Sequence, residues 1–265
     1  MTRTTVYAPR TISLVTELLH PAAPPDASAI QRVHDQLFRQ GSPPYSSFLV
    51  SPAGPVLSNP TASPGSNSFA AFRPDRFQFC EELSSVTYDE FAARVRSVSE
   101  KVATQRNLRF FTAQQVTMRT LVNPRAFKDS RAYLKNAMFG FDDETEVFGS
   151  DPALLGIRFV FPATPERAGS HALRIESWAN DPRSLFLEII STYAGVRADA
   201  TLVQVEENIH ASYRFLTEPA MRFVAGFDSN GGPIVGEDGD GEGEDGEDGG
   251  TAGGDEDAGL DDGRP

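Results

Sequence analysis

Thr87-Tyr-Asp-Glu90, the apolar residues Phe91, Val95, Val98 and Val102 behind it, and the run Phe110-Phe-Thr-Ala-Gln-Gln-Val-Thr-Met-Arg-Thr-Leu-Val122 decide what kind of chain this is. Thr87 and Glu90 stand at the spacing of a capping box, in which each end satisfies an orphan backbone donor of the other. The four apolar residues recur at i, i+4, i+7 and i+11, which is one face of a helix. That helix is expected to end near Arg106-Asn107. The run after it reads as a long strand. Phe110, Val116, Met118 and Val122 share one face, and Phe111, Gln115, Thr117, Arg119 and Leu121 share the other.

The same alternation of elements extends in both directions. Upstream, Ile12 to Leu19 reads as a strand, and Asp26 caps a helix through Gln40 with Ile30, Val33 and Leu37 on one face and Gly41 ending it. Ser46–Val50, Pro55–Leu57, Phe69–Phe72 and Arg76–Leu83 follow as strands, with a Pro/Ser/Gly/Asn loop at Ser58 to Ser68. Downstream, Asp129 or Ser130 starts a short helix through Met138. Leu154–Phe161, His171–Trp178 and Leu185–Tyr193 are strands. A last helix begins near Thr201 with a second capping box, Thr201-x-x-Gln204, an apolar stripe of Leu202, Val205, Ile209 and Leu216, and a kink or stop at Pro219. Residues 12–106 and 110–218 thus share an element order. The expectation is an α+β protein of two similar halves, each an antiparallel sheet backed by helices, from a tandem duplication.

Residues 1–230 form the body and residues 231–265 a separate tail. The tail holds 13 of the 37 acids and one basic residue, Arg264, which gives it a charge of −12 and leaves −1 for the body. It reads as a disordered, self-repelling appendage. Asp238-Gly-Asp240-Gly-Glu242-Gly243 opens like a calcium loop, but Gly249 stands where a closing Glu belongs. Gly241-x-Gly243-x-x-Gly246 follows no strand and is filled with acids that would repel a pyrophosphate.

Composition excludes several function classes. Cys80 is the sole cysteine, so no intramolecular disulfide forms, and it follows a strand-like run as a small hydrophobe. No signal-peptide order opens the chain, and no apolar run approaches the ~20 residues of a membrane helix. A soluble cytoplasmic protein without membrane contact is expected. Arginine outnumbers lysine 21 to 3, but the arginines are scattered among equal numbers of acids, so direct nucleic-acid binding is not expected. His20, His34, His171 and His210 lie at no metal-ligand spacing, and no phosphate loop or nucleophile elbow is present. No metal, cofactor or catalytic residue is assigned. Asp142 to Glu146 reads as a solvated acidic loop, pinned by Phe139, Phe141 and Phe148. Glu206-Glu207 reads as a solvated helix face.

The most suggestive feature of the body is the polar stripe Gln115, Thr117, Arg119. Alternate residues on one strand face project together, and an Arg in a cleft can hold a carboxylate or phosphate bidentately. Phe72-Arg-Pro-Asp-Arg-Phe-Gln-Phe79, the capped helix, Val116-Thr-Met-Arg-Thr-Leu-Val-Asn123 and Leu173-Arg-Ile-Glu-Ser-Trp-Ala-Asn-Asp-Pro-Arg-Ser-Leu-Phe-Leu-Glu188 together resemble a sporadically distributed bacterial family of uncharacterised proteins of about this length. That family shows an Arg-x-x-x-Asn strand after its central helix, matched by Arg119 and Asn123. The resemblance covers most of the body and none of the tail. It implies a bacterial cytosolic protein with one integral body and carries no activity with it. Gln115, Thr117, Arg119 and Asn123 are therefore the candidate ligand-binding residues.

Three functions fit this reading. The first is a binding or interaction protein with an unknown protein partner, possible as a homodimer. The second is a small-anion-binding enzyme or sensor with a pocket between sheet and helix, where Arg119 orients an anion and Glu188 or a histidine serves as base. The third is a regulator of a basic partner through the acidic tail. The first is the leading reading, and an enzyme is left open as the less favoured one.

Overall fold

Alternating residues place apolar side chains on one side of each strand, and pairing those strands edge to edge builds one face that helices must cover. The computed structural model describes residues 7–228 apart from 25, 42, 142, 143, 199 and 200. The chain divides into two units, Met1–Gly231 and Gly232–Pro265, and the described residues all fall in the first. The tail, its calcium-like run and its Gly-x-Gly-x-x-Gly pattern lie outside the described residues, as do Asp142 and Asp143 of the acidic loop.

The chain runs β1 (Arg10–Leu19), α1 (Ala27–Arg39), β2 (Ser47–Ser51), β3 (Gly54–Ser58), β4 (Asn67–Phe72), β5 (Arg76–Glu82), α2 (Tyr88–Gln105) and β6 (Phe110–Val122). It continues with α3 (Ser130–Ala132), which passes into a π-helical turn (Tyr133–Phe139), and then a 3-10 turn (Glu144–Phe148). Then come β7 (Gly156–Phe161), β8 (Ser170–Ser177), β9 (Leu185–Arg197), α4 (Val203–Phe215), a second π-helical turn (Leu216–Ala220) and α5 (Met221–Gly226).

The nine strands among the described residues belong to one antiparallel sheet in the order β2-β3-β4-β5-β1-β6-β9-β8-β7. The strands expected in two sheets are joined at the centre, where β1 and β6 pair along most of their length, Thr16 opposite Val116 and Leu14 opposite Met118. Helix α1 packs on β2 and β3, α2 on β5, and α4 on β6 and β9, with α2 touching both of the others.

The helix boundaries follow local chemistry. Asp26 accepts from the Ala29 amide at 2.9 Å, and Gly41 takes φ +89° just past α1. At α2 both arms of the capping box form, Glu90 N to Thr87 Oγ1 at 3.2 Å and Thr87 N to Glu90 Oε2 at 2.9 Å. Its buried face is Phe91, Val95, Val98 and Val102, as their spacing requires.

The structure corrects the sequence reading in several places. Leu202, not Thr201, occupies the N-cap of α4 and makes no side-chain cap. The free Leu202 amide is satisfied from α2 by Glu100 Oε1 at 2.8 Å, so a tertiary acceptor replaces the expected box. Glu207 is exposed, and Glu206 is partly exposed and also paired with Arg96 of α2 at 2.9 Å. Pro219 sits inside the second π-helical turn, whose wider hydrogen-bond spacing absorbs the missing proline donor before α5 resumes. At the start of β6 the faces are exchanged. Phe110 is 48% exposed, whereas Phe111 is buried edge-on against Phe77, 5.3 Å between ring centres. Phe148 is 77% exposed and pins nothing to the core. Cys80 is buried, and desolvation with the nearby Glu82 and Glu81 pushes its thiol up to about 12, which keeps it protonated and unreactive.

Candidate functional site

The residues expected to bind a ligand lie on the sheet face opposite the helices. Gln115, Thr117 and Arg119 are half-buried and alternate with the core residues Val116 and Met118. Strand register aligns Arg119 with Glu188 of β9, Arg174 of β8 and Arg158 of β7 on one side. On the other side lie Ser13 of β1, Glu82 of β5 and Asn67 of β4. This lateral row is a ladder of ion pairs. Arg119 Nε donates to Glu188 Oε2 at 2.7 Å, Arg174 reaches Glu188 Oε1 at 3.3 Å, and Arg119 comes within 3.8 Å of Glu82. Arg119 is thus held between two carboxylates on a sheet surface. Asn123 lies beyond the end of β6, its Oδ1 2.8 Å from Ser184 Oγ, where it joins the loop before β9. The four residues do not converge on one cavity.

A concave site does exist between sheet and helix, on the opposite face. A cleft of 530 Å³ opens between the β8–β9 end of the sheet and α4 with its following π-turn. A smaller hollow of 250 Å³ lies by α3, lined by Asp129, Arg131, Lys135 and Asp151 among others. Neither has Arg119 or Glu188 in its wall.

The floor of the cleft comes from side chains that a strand and a helix present at core positions. His171 of β8 and Tyr193 of β9 face α4, which answers with Asn208, Ala211 and Phe215 on one helical face. Behind them runs a connected set of buried polar groups. His171 Nδ1 is 2.8 Å from Ser191 Oγ, and Tyr193 Oη is 2.8 Å from Ser212 Oγ. Ser212 gives its single proton to the Asn208 carbonyl at 2.9 Å, so Tyr193 is the donor in that pair. Asn208 Nδ2 donates to Gln114 Oε1 at 2.8 Å, and Gln114 Nε2 donates to the Val205 carbonyl at 3.0 Å. From the exposed rim, Gln204 Nε2 donates to Asn208 Oδ1 at 3.0 Å. Each amide and hydroxyl here is spared the penalty of burial without a partner.

Burial first, and the charge of Arg167 second, lower the His171 imidazole to about 4. His171 is therefore neutral at pH 7 and stacks on the Phe215 ring, 4.3 Å between centres. It is no general base poised near neutrality. Its partner Ser191 is sealed from solvent at 0% exposure, so the pair offers no accessible nucleophile. Among the described residues no group of three or more His, Cys, Asp and Glu is placed to hold a metal ion. Among them, too, no helix is long and apolar enough to cross a membrane.

Gly169, at the entry to β8, fixes one wall. A Cβ there would fall 2.4 Å from Tyr193 Cε1 and 2.8 Å from Cδ1, so only glycine lets this backbone lie flat on the ring. Gly169→Ala is expected to push Tyr193 off Ser212 and to destabilise the body by about 1–3 kcal/mol, as overpacking does. A urea midpoint equal to that of the wild type would show that the ring moves freely.

Sequence reasoning missed this site because its members are scattered over β6, β8, β9 and α4. One signal was present. Gln114 stands on the core-facing side of its strand beside Val116, and Asn208 and Ser212 stand within the apolar stripe of Val205, Ile209 and Leu216. Polar residues at core positions are the informative exception to burial rules. No family model and no curated protein matches the chain.

Proposed function

We propose that this protein is a binding protein, and that a small molecule occupies the cleft between α4 and the β8–β9 end of the sheet. The observation that carries this reading is the cleft floor, a neutral histidine, a tyrosine and two amides held in place by a buried hydrogen-bond network. Concave sites with a few convergent, pre-oriented polar groups on an apolar frame are what small ligands use. The sealed Ser191 and the depressed His171 favour binding over hydrolytic chemistry. The arrangement also supports a tandem origin for the body. A central strand, β1 or β6, is followed by helix, hairpin-linked strands stacked outside it and a covering helix, α2 or α4. On that reading the cleft belongs to the second copy.

Native mass spectrometry on the full-length protein recovered from its own cells tests the reading. A small stoichiometric mass is expected on the wild type. It should be lost in Ala211→Trp, which fills the cleft from α4, and also in Arg214→Gln at the cleft wall, with circular dichroism showing that both variants keep the fold. A bare mass in the wild type, or equal occupancy in the variants, would overturn it.

A further inference from the structure

We propose that the cleft recognises an oxyanion, the carboxylate or phosphate head of a small molecule, and seats it between Arg167 and Arg214. This rests on the reading of the cleft as a ligand site and adds the chemistry of what enters. Arg167 lies on the β7–β8 hairpin, whose ends Thr164 and Arg167 exchange backbone hydrogen bonds of 2.9 and 3.1 Å. Its guanidinium is fixed from two sides, over the Phe161 ring at 5.8 Å to the centre and through Nη2 to the Pro162 carbonyl. That leaves Nε buried with no acceptor among the described residues. Nη1 makes no hydrogen bond among the described residues and, unlike Nε, is not closed off from the surface, so it is the donor on this guanidinium that an oxyanion in the cleft can meet. Arg214, in the last turn of α4, makes no ion pair among the described residues and lines the same cleft.

Both cationic fields reach the floor. The charge of Arg167 acts on His171, and that of Arg214 on Tyr193. Two guanidinium groups in the wall of one cleft, one of them held in place, with neutral hydrogen-bonding groups beneath them, are the charged donors that carboxylates and phosphates take. Glu166, Glu207 and Glu218 stand on the walls. With three carboxylates to two guanidiniums the lining is acidic away from the arginines, so the fitting ligand has one anionic head and a cationic remainder.

Titration of the full chain with acetate and, separately, inorganic phosphate at constant ionic strength tests this through the thermal midpoint. A saturable rise is expected with one of them. Acetate alone identifies a carboxylate head and phosphate alone a phosphate head. Arg214→Gln and Arg167→Gln should each weaken that binding by about tenfold or more, the scale of a lost charge-assisted pair. Ala211→Trp should abolish it. No saturable rise with either anion, unchanged affinity in both arginine variants, or binding that persists in Ala211→Trp would overturn the oxyanion site. If the first of these occurred while a native bound mass still disappeared in Ala211→Trp, the cleft would stand as a binding site for a ligand of other chemistry.

Discussion

Replacing Arg94 by alanine is expected to destabilise the body by about 3–5 kcal/mol, the scale found when a buried ion pair loses one partner. Glu81 projects from β5 towards the helices and is 2% exposed. Its Oε1 accepts from Ser68 at 2.9 Å and from Arg94 Nη1 of α2. Its Oε2 is buried with no hydrogen-bond partner among the described residues. The Arg94 guanidinium lies over the Tyr45 ring, 5.3 Å from its centre, and burial pushes the Tyr45 phenol above its ordinary range. Tyr45 therefore stays neutral and adds no second negative charge for Arg94 to balance. With Arg94 gone, Glu81 must stay charged in an apolar site or take a proton, and either course is unfavourable. A loss of this size is a large part of the 5–15 kcal/mol that holds a typical domain together. The paired change Glu81→Leu with Arg94→Leu should restore most of it, since apolar groups of similar volume replace a buried pair at little net cost. Urea denaturation of the wild type, Arg94→Ala and the double variant would measure both steps. An Arg94→Ala midpoint within about 1 kcal/mol of the wild type would mean that water reaches Glu81.

What could be read locally was legible in the sequence. The Thr87–Glu90 box, the Asp26 cap and the alternation of Leu173 and Ile175 depend only on neighbours a few residues away, and the structure contains each of them. Long-range pairing is another matter. Nothing in Leu14 or Met118 announces that they lie opposite each other, because strand pairing is decided by the summed fit of whole strands. The two expected sheets are therefore one. The false second capping box has the same cause, since the acceptor for Leu202 comes from Glu100 on another helix. Arg119 shares a face with Gln115 and Thr117, as strand alternation requires. Its partners Glu188 and Glu82 come from two other strands, so the stripe could not be told from a binding surface by spacing alone. The cleft escaped for a subtler reason. His171 sits in an ordinary alternating strand, and only the register with β9 sets it against Ser191.

That register has a measurable acid signature. His171 is 3% exposed, and its imidazole is held at about 4 in the folded protein against an ordinary value of 6.5. As pH falls through 6.5 the unfolded chain takes up a proton at this position while the folded chain does not, so stability is lost progressively between 6.5 and 4 and is fully present above 6.5. Between pH 7 and 5 the loss from this one group is about 2 kcal/mol. Burial also lowers His20, which adds to the slope with the same sign. Asp129 and Asp181 are lowered by hydrogen bonds from Arg131 and Ser184 respectively. Their contributions disappear only as pH falls towards and below the ordinary carboxylate range, so the interval from 7 to 5 reports mainly on the histidines. His171→Gln removes the titration and keeps a polar group near Ser191. It is expected to flatten the dependence by about 2 kcal/mol across that interval, whatever its stability at pH 7. Urea midpoints at pH 7, 6 and 5 for both proteins would show it, and the imidazole resonances of the wild type would give the titration directly. A His171 titration near 6.5, or parallel pH profiles for the two proteins, would mean that the ring is hydrated, and the neutral floor proposed for the cleft would fall with it.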